Sequence, residues 1–241
     1  MEVIKLHSTV STNSWLSENE SNLSSGTLVY ALQQTGGRGQ KGNSWESEPG
    51  KNITASLLFR PQNFEASQQF IISEAIALAI VDFLKGEGVE SKIKWPNDIY
   101  AAKKKICGIL VENVVMGKNI SRTIAGFGIN INQTEFLSDA PNPVSLAQIT
   151  GLSYNIDALI IKLCSFLNTY LKKIEDSTQL HKDFLTHLWR NDGRFYQFFD
   201  HKNVENIEAR IISVRKDGIL ILETSQGDQR EYMFKEIEFK L

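Results

Sequence analysis

Cysteine is nearly absent from this 241-residue sequence: it has two, Cys107 and Cys164. They have neither metal-ligand spacing nor the density of a disulfide framework, so a structural zinc site and a small stapled fold are excluded. Two packed thiols in a reducing compartment are expected, and the cytoplasm is the expected location. Histidine is equally sparse. His7, His181, His187 and His201 are scattered, and the spacing of His181 and His187 does not pair them on one helix face, so none is assigned a ligand role. Charge of either sign is not in excess either: 26 Lys and Arg face 28 Asp and Glu, a formal net charge of −2. A non-specific nucleic-acid binder with a basic footprint is therefore not expected. Met1 opens no signal-type apolar run, and no apolar stretch approaches membrane-span length, so no membrane partner is expected. Internal repeats and low-complexity segments are lacking. What remains, 41% hydrophobic and 22% charged residues, is an ordinary globular composition with enough length for a large core plus a small second domain.

The most informative stretch is Gln34-Thr35-Gly36-Gly37-Arg38-Gly39-Gln40-Lys41-Gly42-Asn43-Ser44-Trp45-Glu46. Glycines alternate with two cations and close on a tryptophan. Glycine lets the backbone approach a ligand, and clustered N–H groups beside Arg and Lys form an anion pocket. A solvated hairpin tip is the alternative reading. The pattern is neither Gly-x-x-x-x-Gly-Lys-Ser/Thr nor a Gly-x-Gly-x-x-Gly loop opening a helix.

Around this loop the chain alternates strands and helices. Val3–Leu6, Thr27–Leu32 and Ile53–Phe59 read as strands, so the loop lies between two of them. Ser11-Thr12-Asn13 either caps the following helix or binds a small polar ligand at its start. Ala66–Lys85 carries the clearest helical periodicity, stopped by Gly86 and Gly88. Val144–Thr150, Ile156–Ile174 and His181–Trp189 read as further helices, with Pro141 and Pro143 marking a loop ahead of them. From Asp192-Gly193 short alternating segments predict an all-β appendage that leans on the main domain. The expected domains are 1–191 and 192–241.

A second cluster follows the long helix. Lys94-Trp95-Pro96-Asn97-Asp98 is a proline-stiffened turn between strands, and Lys103-Lys104-Lys105 sits at the next hairpin tip. Ile106–Glu112 and Ile120–Ile131, the latter with Gly126-Phe127-Gly128-Ile129-Asn130, are buried strands. A lysine triplet and a Pro-Asn-Asp turn are each commonplace alone. Lys94, Asn97, Asp98 and Lys105 around one hairpin are a set that can meet a phosphate with its metal ion.

Taken in order, Ser11-Thr12-Asn13, Gly37 to Trp45, Lys94 to Asp98, Lys105 to Glu112 and Gly126 to Asn130 resemble the signature blocks of biotin protein ligases. The resemblance covers the whole chain and is to the short form, beginning directly at the catalytic domain without the N-terminal DNA-binding domain of some members, so no repressor role is implied. It implies an α+β fold: a class II aminoacyl-tRNA synthetase-like catalytic domain with a mixed, largely antiparallel sheet flanked by helices, plus a small C-terminal SH3-like barrel. It implies ATP, Mg²⁺ and biotin as small molecules and an apo biotin carboxyl carrier protein as acceptor. Biotin carboxylate attacks the α-phosphate of ATP, giving biotinyl-5′-AMP, and a carrier lysine attacks that anhydride. Family members include dimers and monomers, so a homodimer is compatible.

On this resemblance the catalytic residues are Arg38, Lys94 and Lys105. The biotin set is Ser11, Thr12, Asn13, Gln34, Arg38, Gly39, Gln40, Lys105 and Gly108. The ATP set is Gly37, Arg38, Trp45, Lys94, Asn97 and Asn130, with Asp98 on the metal. Two cations are needed because a carboxylate and a triphosphate must approach in line. Gln40 and Asn43 stand where relatives often have arginine, which predicts weaker retention of the adenylate, with Lys41 as a compensating cation. A lipoate or octanoate protein ligase or transferase of the same fold is the near alternative. A non-catalytic biotin sensor is the distant one, and it does not need a phosphate-binding cluster.

Overall fold

The computed structural model describes residues 1–40, 42–137 and 142–240. Its larger sheet holds β1 (Val3–Thr9), β2 (Leu28–Gln34), β3 (Ile53–Phe59), β4 (Lys92–Lys94), β5 (Asp98–Ala101), β6 (Lys104–Met116) and β7 (Asn119–Ile129). The order is β1-β2-β3-β7-β6-β5-β4. β1 and β2 run parallel and the other neighbouring pairs antiparallel, which is the mixed sheet expected. The glycine-rich stretch joins β2 to β3, at the middle of the sheet rather than its edge.

Strand alternation sorts side chains onto two faces. On one, Val29, Leu58 and Ile124 pack with Leu16 of helix α1 (Thr12–Asn19). On the other, Leu28, Tyr30, Leu57, Ala125 and Phe127 meet α2 (Phe70–Gly86) and the helices behind it. After the short α3 (Leu146–Thr150), those are α4 (Ile156–Lys172) and α5 (Ser177–His187). Phe83 of α2 meets Phe166 of α4 at 6.4 Å between ring centres, and Phe70 meets Phe184 of α5 at 5.6 Å. Being covered on both sides, α2 is apolar around most of its circumference. One sequence expectation is corrected here: the helical segment Ala66–Gly86 is, by length and composition, apolar enough to cross a membrane, but most of it is buried in the core.

Local signals set the helix ends. The segment from Ala66 begins as a 3₁₀ turn, and the α-helix proper starts at Phe70. Ser145 and Gln148 form a capping box, so α3 starts at Leu146 rather than Val144. The Asp176 side chain accepts from the Gln179 N–H and starts α5 ahead of His181. That helix ends at His187, which frees the Trp189 N–H to bond the Ile93 carbonyl at 2.8 Å.

The second sheet holds β8 (Tyr196–Asp200), β9 (Glu205–Val214), β10 (Leu220–Thr224), β11 (Gln229–Tyr232) and β12 (Ile237–Phe239), all antiparallel, in the order β11-β10-β9-β8-β12. It is a small barrel-like unit docked on the first. Trp95 Nε1 donates to the Gly218 carbonyl at 2.9 Å, its ring meets Phe234 at 5.4 Å, and Trp189 meets Phe239 at 5.9 Å. One continuous buried cluster runs through both sheets.

Fully buried Glu74 of α2 faces His181 Nδ1 of α5 at 2.8 Å. Burial raises the Glu74 carboxyl pKa, and the hydrogen bond and charge of His181 offset part of that rise. A carboxyl with a raised native pKa binds more protons folded than unfolded, so its contribution to stability falls as pH rises above the ordinary carboxylate range. Glu74→Gln is expected to flatten that fall, measured as urea unfolding free energy from about pH 4 to about pH 8. Parallel pH profiles for the two proteins would contradict it.

Candidate active site

The glycine-rich stretch folds as a narrow hairpin. Trp45 N–H donates to the Gly37 carbonyl at 3.0 Å, Gly39 N–H to the Asn43 carbonyl at 2.8 Å, and Arg38 bridges Ser44. Gly42 turns the tip with φ of 87°, a conformation glycine adopts without strain. Lys41 lies outside the described residues. The hairpin is held by backbone bonds at its base, while Arg38, Gly42, Asn43 and Ser44 are exposed to solvent.

Under it, the α1 end of the cleft is lined by polar groups. Ser11 occupies the helix N-cap position but makes no side-chain capping bond. Thr12 and Asn13 are buried and point to the sheet instead. Thr12 N–H donates to Gln34 Oε1 at 2.8 Å, and the Thr12 and Ser56 hydroxyls meet at 2.6 Å. Ser56 Oγ donates to Asn13 Oδ1 at 2.5 Å. Of the two readings of the Ser-Thr-Asn run, capping is therefore not the one the side chains adopt.

At the other end Lys105 Nζ lies 2.7 Å from Asp98 Oδ1, with both side chains about one-fifth exposed (22% and 19%). A bulge in β6 aims the lysine. Ile99 pairs with Cys107 but Tyr100 pairs with Lys105, so Ile106 is an extra residue. The slip breaks the two-residue alternation and turns Lys105 to the same face as Gly108. The expected lysine tip is shifted accordingly: Ala102 and Lys103 take the positive-φ turn, while Lys104 and Lys105 belong to β6. Asn97 Nδ2 donates to the Ile109 carbonyl at 2.6 Å and fastens the turn to β6.

Between the two ends lies Trp45. Its indole rests on the sheet where β6 and β7 have no side chains: a Cβ at Gly128 would fall 2.2 Å from the ring, and one at Gly108 3.0 Å from it. Lys105 Nζ lies 5.8 Å from the ring centre. The remaining cavity is about 140 Å³, below the roughly 300–1,000 Å³ typical of small-molecule sites. Trp45 and its hairpin fill much of the space over the sheet.

Of the residues expected from sequence, Ser11, Thr12, Asn13, Gln34, Arg38, Gly39, Gln40, Trp45, Asn97, Asp98, Lys105 and Gly108 line this one cavity, and so does Asn43. Three do not. Lys94 turns outward between the Tyr100 and Phe239 rings, 5.2 and 5.4 Å from their centres. Burial there lowers its pKa, and the Asp98 charge offsets part of the drop. The second sheet has claimed this ammonium, so its placement does not support the phosphate-facing role. Gly37 sits at the hairpin base, where a Cβ would meet the Trp45 carbonyl at 2.5 Å. Asn130 lies behind the cavity, with Nδ2 on the Val144 carbonyl and Oδ1 buried without a partner. Asp98, expected on a metal, pairs with Lys105 in the ligand-free protein, and no group of three or more His, Cys, Asp or Glu among the described residues could hold a metal ion. Two residues were missed. Ser56 was hidden in an apolar run, although Thr54 and Ser56 alternate with Ile53, Ala55 and Leu57 in β3. Glu112 stands in the sequence as a strand end, yet its Oε2 accepts from Asn13 Nδ2 at 2.6 Å and Arg38 Nη2 at 3.2 Å.

This arrangement belongs to a known class. Residues 2–130 match the biotin/lipoate A/B protein ligase family, and the chain is a member of that family. The bifunctional ligase/repressor BirA of Bacillus subtilis is 30% identical over 244 aligned positions, covering 94% of this chain and 70% of that protein. The biotin–[acetyl-CoA-carboxylase] ligase of Paracoccus denitrificans is 34% identical over 128 positions, 51% of this chain and 52% of that one. The biotin protein ligase from Aquifex aeolicus, solved in complex with biotin and ATP, superposes with a TM-score of 0.80 at 25% identity, over 99% of this chain and 98% of that one.

Gly128→Ala is expected to expel the Trp45 indole from the sheet while leaving the fold intact. The difference in fluorescence between each protein and its Trp45→Phe counterpart should move to longer wavelength. An unchanged Trp45 spectrum would contradict the placement.

Proposed function

We propose that this chain activates biotin with ATP to biotinyl-5′-AMP and transfers it to a lysine of a biotin carboxyl carrier protein. The observation that carries the reading is the pairing of two unlike ends in one cleft. One end presents neutral donors and acceptors, the other the Lys105 ammonium, with Arg38 on the hairpin above. Biotin has that same division, a ureido ring and a carboxylate. Its ring offers one carbonyl and two N–H groups, which suit Ser11, Thr12, Asn13 and Gln34 of the cavity lining. The dithiolane of lipoate has no such groups to offer to this polar end, which favours biotin over the other substrates of the family.

Adenylation brings a carboxylate against a triphosphate, so cations must offset the repulsion. In this reading Lys105 and Arg38 supply them. A biotin carboxylate oxygen attacks the α-phosphorus, the bond to the β-phosphate oxygen breaks, and pyrophosphate leaves. Asp98 holds Lys105 in place before substrate arrives. Asn130 Oδ1 and Trp45 Nε1, an acceptor and a donor buried without partners, match the needs of an adenine; each left unbonded costs about 1–3 kcal/mol. Mg²⁺ belongs here to the MgATP substrate, since the described residues offer no cage of three or more His, Cys, Asp or Glu and Asp98 is the single carboxylate among the residues lining the cavity. The hairpin then closes over the anhydride and keeps water off it. The carrier lysine amine attacks the acyl carbon, AMP leaves with the bonding pair, and the amine sheds a proton.

Biotin-dependent release of pyrophosphate from ATP, with lipoate as the comparison, tests this directly. Release with lipoate alone would replace the reading with its lipoate counterpart. Lys105→Ala should fold normally and lower adenylate formation by about a hundredfold or more, the scale of losing one charge-stabilising donor; adenylate formation at the parent rate would remove Lys105 from the chemistry. Gln40 lines the cavity where many relatives have arginine. Gln40→Arg is expected to slow dissociation of bound biotinyl-5′-AMP, and equal dissociation rates would contradict a retention role for this position.

A further inference from the structure

Glu112 has no part in the reaction as set out above, yet a chain of side-chain hydrogen bonds along the cleft floor ends on it. Ser56 Oγ donates to Asn13 Oδ1 at 2.5 Å, and Asn13 Nδ2 donates to Glu112 Oε2 at 2.6 Å. Proton counting fixes the direction. Asn13 Oδ1 only accepts, so Ser56 spends its proton there, and the single Thr12 hydroxyl proton lies between Ser56 Oγ at 2.6 Å and Gln34 Oε1 at 3.1 Å. Glu112 Oε2 also receives Arg38 Nη2 from the hairpin, at 3.2 Å. One carboxylate oxygen is thus where the polar end of the cleft and the hairpin's cation converge.

The two contacts differ in strength. Asn13 is 4% exposed and Ser56 fully buried, and a Cβ at Gly126 would lie 2.1 Å from Asn13 Oδ1. The Asn13–Glu112 contact is therefore pinned by packing. The Arg38 and Glu112 side chains are 47% and 40% exposed, and an ion pair so open to water contributes little. It is strong enough to bias the hairpin and weak enough to be exchanged.

We propose that Glu112 is a positioning residue. Fixed by Asn13, it holds Arg38 at the cleft mouth in the ligand-free protein and yields it to the substrate's anion. A ligand that engages Thr12 or Asn13 alters the anchor itself, so occupancy of the polar end is communicated to the hairpin. The exchange of anions rests on the ligase reading; the anchoring of the hairpin does not.

Glu112→Gln keeps the size of the side chain and an acceptor for Asn13 but deletes the charge, and Glu112→Asp keeps the charge. Equal thermal midpoints would establish that both variants fold. Without ligands, tryptic cleavage after Arg38, mapped by mass, should run several-fold faster in Glu112→Gln than in the parent, and Glu112→Asp should restore protection. In adenylation the loss should fall on KM, by up to about fivefold, with kcat within about twofold, because only the ordering of the hairpin before binding is lost. Parent-like cleavage and KM in Glu112→Gln would overturn the proposal, as would a fall confined to kcat or an Asp variant cleaved as fast as Gln. If the parent released no pyrophosphate with biotin, the ligase reading would fail, and the ligand-free cleavage comparison would still decide the role of Glu112.

Discussion

The site depends on a steric clearing. β6 and β7 carry no side chains at Gly108, Gly126 and Gly128, and what rests on the sheet does so because of that. Asn13 occupies the space above Gly126, and Trp45 the space above Gly108 and Gly128. A methyl group at 126 or 128 would sit within 2.1 or 2.2 Å of those side chains, far inside van der Waals contact. With the floor open, the Ser56–Asn13–Glu112 line forms on one side of the cleft and the indole lies flat on the other.

Electrostatics divides the labour above that floor. Lys105 and Arg38 each have a carboxylate partner in the ligand-free protein, Asp98 and Glu112. The Lys105–Asp98 pair is the more enclosed and less screened, so it keeps its geometry, while the more exposed Arg38–Glu112 pair is exchangeable. One cation is fixed to the sheet and the other is carried on a more exposed hairpin. The second sheet steadies the fixed half. It grips Trp95 through Gly218 and Phe234, and Lys94 through Phe239. The turn bearing Asn97 and Asp98 is thereby clamped on the side facing away from the cleft.

Much of this was legible in the sequence, because the signals involved are local. The glycine-rich stretch between two strands, the long apolar helix, the Lys94–Asp98 turn and the β-rich tail all follow from periodicity and turn residues. Gly126 and Gly128, which the sequence places in a buried strand, are where Asn13 and Trp45 approach it closely. The misplaced features have non-local causes. The Lys94 side chain lies between Tyr100 of the neighbouring strand and Phe239 of the other sheet, and the second of these contacts is not readable from the sequence around Lys94. Glu112 and Ser56 acquire their roles from Asn13, which reaches them across strands not adjacent in sequence. The aim of Lys105 depends on the bulge at Ile106, whose register is set by pairing with β5 rather than by composition. The apolar length of Ala66–Gly86 was underestimated because scattered polar residues, Glu74 and Asp82 among them, interrupt a run that is continuous on the helix surface.

The central claim is that a cleft with a neutral hydrogen-bonding end and a cationic end makes an acyl-adenylate and passes the acyl group to a protein amine. Intact-mass and peptide-mass measurement of an apo biotin carboxyl carrier domain, after incubation with the protein, ATP, Mg²⁺ and biotin, tests it most directly. The account predicts a single biotinyl increment, on one lysine, dependent on both ATP and biotin. A carrier that remains unmodified under conditions where the protein is folded and binds biotin would contradict it.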